Sequence, residues 1–298
     1  MRKFFNALQF LIIIIIIILG LTIVGNKVGV IDFNLTKIDD ADYVSKYICV
    51  LDRDDKKVEY KKNFKAKAYP ASLTKMMTAI VALEKVDNLS ATAPVDVDTY
   101  KEMVAKNASM AGFYGRERVT YRDLLYGTIL SSGGETANSL AVNVAGSVEE
   151  FVRLMNEKAS VLGLKDTHFM NPEGLHHQEQ YTTAYDLARL LDYALGNDRF
   201  KAIFTSKTFT TTSTPNHPQG IVLKSTVLSK LEDVHQEGFQ IIGGKSGTTS
   251  QAGECWATLA LKGGREYICI VMGAPLKDIR NPDNAQIEDS IKLLERIK

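Results

Sequence analysis

The amino-acid sequence predicts a mixed α/β fold, with one antiparallel sheet drawn from both ends of the chain and a helical lobe inserted between them. Three observations carry this. Residues 43–62 read as a strand, a turn and a returning strand. β-Branched and apolar residues return over 240–261 and 266–272. Between these, over about 76–200, the apolar pattern is helical, without the strand-helix alternation of a parallel βαβ sheet.

At the amino terminus, Arg2 and Lys3 precede an apolar run that is unbroken from Phe10 to Leu19 and reaches Val24 with only Gly20 and Thr22 as relief. Counted from Phe4 it is long enough to span a bilayer as a helix, for which about 20 residues suffice. No small-x-small cleavage site closes it, because Val24, Gly25, Asn26 and Lys27 follow. Residues 1–28 are therefore expected to be an uncleaved signal anchor in a membrane, exporting residues 29–298 as one catalytic domain; a cleaved signal peptide is the alternative.

Next come the strand 43–51, the turn 52–55 and the strand 57–62. Pro70 then introduces Met76, Met77, Ala79, Ile80, Val81, Ala82 and Leu83, apolar on nearly every side as a helix in the middle of a domain should be. After Leu89 the pattern turns polar and irregular. Helices are expected over 122–130, 135–144, 148–162 and 183–195, the third opened by a capping box of Ser147 and Glu150. Residues 205–215 alternate around Phe209 as an exposed strand leading into a loop, Gly263-Gly264 closes a hairpin between the late strands, and 284–297 reads as a final amphipathic helix on the sheet.

With 298 residues, 45% hydrophobic and 24% charged, the chain can bury a substantial core, and a net charge of +1 gives no footprint for nucleic acid. Lys56, Lys57, Lys61, Lys62, Lys65 and Lys67 read as a solvated strand edge and loop, ahead of a contact for an anionic cell-wall polymer. Cys49, Cys255 and Cys269 are expected to be buried free thiols, because a tight turn at Gly263-Gly264 sets 269 opposite 258 and puts Cys255 and Cys269 on opposite faces. No metal or other cofactor is expected: His168, His176 and His177 lack His-Glu-x-x-His spacing or clustered acidic ligands, and each reads as a loop or surface histidine.

The chemistry is concentrated in Pro70-Ala71-Ser72-Leu73-Thr74-Lys75. Ser72 and Lys75, three residues apart, fall on one face of a helix. A hydroxyl becomes a useful nucleophile when a base takes its proton, and an amine can do so only when neutral. Holding a lysine neutral at pH 7 means lowering its pKa by roughly 3, or about 4 kcal/mol, which burial and a second positive charge both favour. Two more clusters follow in order, Ser132-Gly133-Gly134 and Lys245-Ser246-Gly247.

With these three clusters, and with residues 167–175 (Thr-His-Phe-Met-Asn-Pro-Glu-Gly-Leu), 181–188 and 271–274, the chain from about 43 to 294 resembles the serine D-alanyl-D-alanine carboxypeptidases, the low-molecular-mass penicillin-binding proteins. The resemblance implies a β-lactamase/transpeptidase-like fold and an acyl-enzyme on Ser72, formed from a peptidoglycan stem peptide or a β-lactam. Lys75 would be the base, and Ser132 a proton relay between Lys75 and the leaving amine, or an N-cap, or both. Lys245 would keep Lys75 neutral by repulsion and attract the substrate carboxylate. Ser246 would add a hydroxyl contact, and Gly247 would let the strand approach the substrate. The backbone N–H groups of Ser72 and Thr248 would hold the oxyanion, with Thr249 beside them in the substrate-binding set. Gly134 stands where the family carries asparagine, and either Asn138, one turn on, or an ordered water is the candidate to compensate. Asn171-Pro172-Glu173-Gly174 reads as a turn. The rival readings are a serine β-lactamase, for which Glu173 lies in the right region without the right neighbours, and an inactive wall-binding module, motivated by Gly134. Relatives with a second β-rich domain and a carboxyl-terminal anchor differ from what is expected here, where the sequence stops at Lys298.

Overall fold

The computed structural model describes residues 39–279 and 281–297; the expected anchor over 1–28 lies outside them. Strands β1 (Tyr47–Asp52) and β2 (Lys57–Lys62) form the first hairpin. Two short antiparallel ribbons, β3 (Thr92–Pro94) with β4 (Arg118–Thr120) and β5 (Thr208–Thr210) with β6 (Val222–Lys224), accompany the helical region. The carboxyl-terminal strands β7 (Phe239–Thr249), β8 (Gly253–Lys262) and β9 (Arg265–Ala274) complete a five-stranded sheet in the order β2-β1-β9-β8-β7, antiparallel throughout. The sheet is thus built from both ends of the described chain, as the sequence implies.

β1 begins at Tyr47, four residues later than expected. The reason is a carboxylate from the far end of the chain: Asp289 accepts from the backbone N–H of Ser45 at 2.8 Å and of Val44 at 3.4 Å, which takes these amides away from a ladder. At the other end, Gly263 and Gly264 both have positive φ, 56° and 79°, as the two-residue turn joining Lys262 to Arg265 requires. Thr258 pairs with Cys269, and the three thiols are free and buried. Burial pushes each of them up to about 12, so they are protonated and unreactive at neutral pH.

Helix α1 (Lys75–Lys85) runs through the middle of the molecule, with every residue from Lys75 to Leu83 buried. Burying Met76, Met77, Ile80, Val81 and Leu83 contributes on the order of 10 kcal/mol, enough to hold a buried lysine at the helix start. The helices that follow are α2 (Val97–Ala105), α3 (Tyr121–Ile129), α4 (Gly134–Ala145), α5 (Val148–Val161), α6 (Ala184–Ala194) and α7 (Asp198–Phe204); α3 to α7 pack against α1, and α2 packs on α4. Sequence reasoning passes over α2 and α7, which are opened by the side-chain caps of Asp96 and Asn197. Only Met103 of α2 is fully buried, so the helix writes no apolar stripe. The Ser147 cap forms half of the expected box: its hydroxyl accepts from Glu150 N, while the Glu150 carboxylate turns to Arg153.

Alternation along β9 divides the sheet's two faces. Ile268, Ile270 and Met272 join the core shared with α1 and α6, and Cys269 faces Ser290 on α8 (Ala285–Arg296). The Lys262 ammonium donates to the carbonyls of Leu294, Glu295 and Ile297, satisfying the end of α8 and fixing that helix to the outer face.

Candidate active site

Ser72 sits in a short 3-10 turn, Ala71–Thr74, that runs directly into α1. Ala71 has φ +47°, an uncommon conformation for alanine that sharpens the entry to the turn. The Lys75 Nζ stands 3.2 Å from Ser72 Oγ and donates to the carbonyl of Glu173 at 2.5 Å. Lys75 is only 2% exposed, and burial brings its pKa down to about 8, against the pull of the Glu173 and Glu135 carboxylates, which raise it. Burial is the leading cause at both lysines, and the like-charge repulsion expected between them adds to it, Lys245 being driven well down by burial first and by Lys75 second.

The stretch 167–183 turns out to brace this lysine. Asn171 accepts from Gly174 N at 2.7 Å and donates to the Leu175 carbonyl at 2.9 Å, folding the turn that presents the Glu173 carbonyl. Gln180 Oε1 takes the backbone N–H groups of Met170 and Asn171. A paired bridge between Ala68 and Thr182 ties the same stretch to the chain just before Ser72. Gly174, at φ +86°, packs so closely that a Cβ there would lie 2.1 Å from the Ala71 carbonyl oxygen. The turn expected at 171–174 is therefore present, and its backbone holds the amine.

Lys245 lies on β7 beside the turn that carries Ser72 and is completely buried. Its Nζ donates to Ser132 Oγ at 2.8 Å and to the Ser246 carbonyl at 2.6 Å. Ser132 is not an N-cap: Gly133 holds that position in α4 and offers no side chain, while Ser132, at φ +59°, turns its hydroxyl toward Lys245. The hydroxyl's described partner is thus Lys245 and not Lys75. The Ser246 hydroxyl is shared with Thr226 at 2.7 Å. A Cβ on Gly247 would meet Ser72 N at 2.9 Å, so its bareness first serves the approach of β7 to the Ser72 turn. Thr248 and Thr249 line a cleft of about 420 Å³ together with Ser72, Lys75, Gly134 and Glu173.

Gly134 and Asn138 come out differently from expectation. The Cβ direction at Gly134 points at Met103, 2.9 Å from its sulfur. Asn138 is buried, and its amide donates to the Gly134 carbonyl at 3.0 Å and to Glu173 Oε2 at 3.2 Å, so its donors are spent within the fold. Burial raises the Glu173 carboxyl above the usual range, with Lys75 and Asn138 acting the other way. Glu135, the residue after Gly134, is buried too, its Oε1 accepting from the N–H groups of Ala111 and Gly112.

Comparison with known proteins shows the family. The peptidase S11 family, described as D-alanyl-D-alanine carboxypeptidase, matches residues 35–276. The chain belongs to that family. It is 31% identical over 247 residues to the D-alanyl-D-alanine carboxypeptidase DacF of Bacillus subtilis (strain 168), covering 82% of this chain and 61% of that protein. To the D-alanyl-D-alanine carboxypeptidase DacD of Escherichia coli (strain K12) it is 33% identical over 213 residues, covering 69% of this chain and 52% of the other. It therefore spans between about half and three fifths of the length of these two relatives. Among solved structures it superposes on the Streptomyces K15 DD-transpeptidase with a TM-score of 0.75 and 28% identity, covering 85% of this chain and 97% of that one. The fold is the β-lactamase/transpeptidase-like one.

Against the family's motifs, four further residues stand out that sequence reasoning did not assign to the site: Glu173 through its carbonyl, Asn171 and Gln180 through the turn they fold, and Thr226 through Ser246. Asn171 had a signal, since an asparagine before Pro-x-Gly commonly folds its own turn. Thr226 had none. Among the described residues no group of three or more His, Cys, Asp or Glu side chains is placed to hold a metal ion.

Proposed function

We propose that this protein hydrolyses the terminal D-alanyl-D-alanine bond of peptidoglycan stem peptides through an acyl-enzyme on Ser72. The observation that carries the reading is the Ser72–Lys75 pair, a hydroxyl 3.2 Å from a buried amine whose pKa is about 8. At neutral pH a fraction of Lys75 is the free base, able to take the Ser72 proton as Oγ attacks the carbonyl of the penultimate D-alanine. The Ser72 and Thr248 N–H groups stabilise the oxyanion, and Thr249 continues the cleft wall. Lys245 and Ser246 receive the terminal carboxylate, whose negative charge favours the ammonium form of Lys245. Lys75 then returns that proton through Ser132, held by Lys245: the Ser132 hydroxyl gives its own proton to the departing D-alanine amine and takes the one from Lys75, which is left as the free base again. Water then cleaves the ester, with Lys75 again as base.

The same chemistry predicts a covalent β-lactam adduct on Ser72. Work on stem peptides puts the domain on the extracytoplasmic side of the membrane, and the apolar run over residues 10–24 supports a tether there. Among the described residues no helix is long and apolar enough to cross a membrane. The test is mass spectrometry of the full-length protein incubated with a pentapeptide ending in D-Ala-D-Ala and, separately, with penicillin. Release of one D-alanine and a long-lived adduct on Ser72 are expected, both lost in Ser72→Ala. Labelling that survives in Ser72→Ala overturns the assignment, and rapid penicillin turnover would favour a β-lactamase.

A further inference from the structure

A second cavity opens beside the catalytic cleft. Its volume is about 460 Å³, and the two share a wall at Ser250 and Gln251, between β7 and β8. Another link crosses the rim: Tyr69 lines the cavity and packs edge-on, at 4.6 Å between ring centroids, against His176, which lines the cleft. The cavity's charge is one-sided, since Lys46 and Lys67 lie in its wall and no Asp or Glu does. Among the described residues no salt bridge includes either lysine. The Lys67 ammonium is held 3.8 Å over the Tyr181 ring, which restrains it without neutralising it.

Geometry sets which part of a substrate arrives there. β7 is an edge of the main sheet, so an extended peptide can lie along its free side. With the terminal carboxylate at Lys245 and Ser246 and the scissile carbonyl at Thr248, the rest of the peptide runs on toward Ser250 and Gln251. Two to three residues at about 3.3 Å each reach the shared wall.

We propose that this cavity is a second substrate-binding site, taking a carboxylate carried two or three residues before the scissile bond. It rests on the D-alanyl-D-alanine reading of the cleft, which fixes the direction of the peptide. Two cations with no acid among them select an anion, and the hydroxyls and amides of Tyr47, Ser250 and Gln178 supply further donors.

The test uses pairs of peptides ending in D-Ala-D-Ala, identical except that the group at that upstream position is a free carboxylate or its amide. The full-length protein should use the carboxylate form about fivefold to tenfold better in kcat/KM, mostly through KM, with the advantage shrinking in high salt. Lys46→Ser/Lys67→Ser should lose that preference and keep its rate on the amide peptide, which also reports that the variant is folded. Gln178→Glu, which puts an acid into the cavity wall and not into the cleft, should disfavour the carboxylate form. Equal use of acid and amide by the wild-type protein, with D-alanine released from both, overturns the second site and leaves the proposed function standing. Release from neither overturns the function itself. A carboxylate preference that persists in the double-lysine variant assigns it elsewhere and also overturns the proposal.

Discussion

Adding one methyl group at Gly247 tests how tightly the nucleophile is held. A Cβ there would lie 2.9 Å from Ser72 N, 3.1 Å from Ala71 Cβ and 3.2 Å from Leu73 N, where ordinary contact begins at 3.4 Å. Relief requires a movement of about 0.5 Å between β7 and the turn, the difference between 3.4 and 2.9 Å. β7 cannot retreat easily, because Gly247 is paired with Cys255 inside a continuous ladder. Nor can the turn shift freely, because the Gly174 backbone already packs against Ala71. The displacement therefore falls on Ser72, and the 3.2 Å separation from Lys75 opens to roughly 3.7 Å, beyond hydrogen-bond reach. Gly247→Ala should lower stability by about 1–3 kcal/mol through overpacking. It should slow acylation by roughly 10- to 100-fold through misplacement of the reacting pair. Thermal unfolding reads the first effect, and the second-order rate of labelling by a fluorescent penicillin reads the second. If the alanine variant labels within threefold of wild type, the contact between β7 and the turn does not position Ser72.

Three more outcomes are expected. Acylation should rise with pH through about 8, since the active form of Lys75 is the deprotonated one and only about a tenth of it is present at pH 7; a flat labelling rate between pH 6 and 9 would put the base elsewhere. Asn138→Ala removes a donor from the buried Glu173 carboxylate and should cost about 1–3 kcal/mol, read as a lowered thermal midpoint; an unchanged midpoint would show that Glu173 is satisfied without it. Gly134→Asn should bring no gain in acylation, because its side chain starts toward Met103, and a faster labelling rate in this variant would contradict that direction.

What could be read in the sequence is what is local or repeated. Ser72 and Lys75 declare themselves because three residues of helix fix their relation, and the Gly263-Gly264 hairpin because its turn chemistry is confined to two positions. Lys245 and Ser132 were legible as motif members, but their mutual hydrogen bond joins residues 113 apart in sequence. Glu173 reads as part of a turn and is one; that its carbonyl holds a lysine 98 residues upstream depends on how α1 and that turn pack. The late start of β1 depends likewise on a carboxylate 244 residues away. The cause of the Lys75 shift needed the burial itself, since a sequence shows which charges exist and not which of them are desolvated.

The sheet order places β9, the last strand made, between the first strand β1 and its neighbour β8. A chain emerging from its amino terminus exposes Ser72 and Lys75 roughly 170 residues before Lys245, and until β7 to β9 arrive the β1–β2 hairpin has no partner on its inner side. The buried environment that lowers Lys75 is therefore incomplete until β7 to β9 have been made. Hairpins of this size are marginal alone, so the early segments must wait, and long-range pairing of this kind makes folding slow. A chain stalled or clipped before residue 274 carries Ser72 and Lys75 without the finished sheet beside them, so the cluster with Lys245 is assembled only once β9 is made.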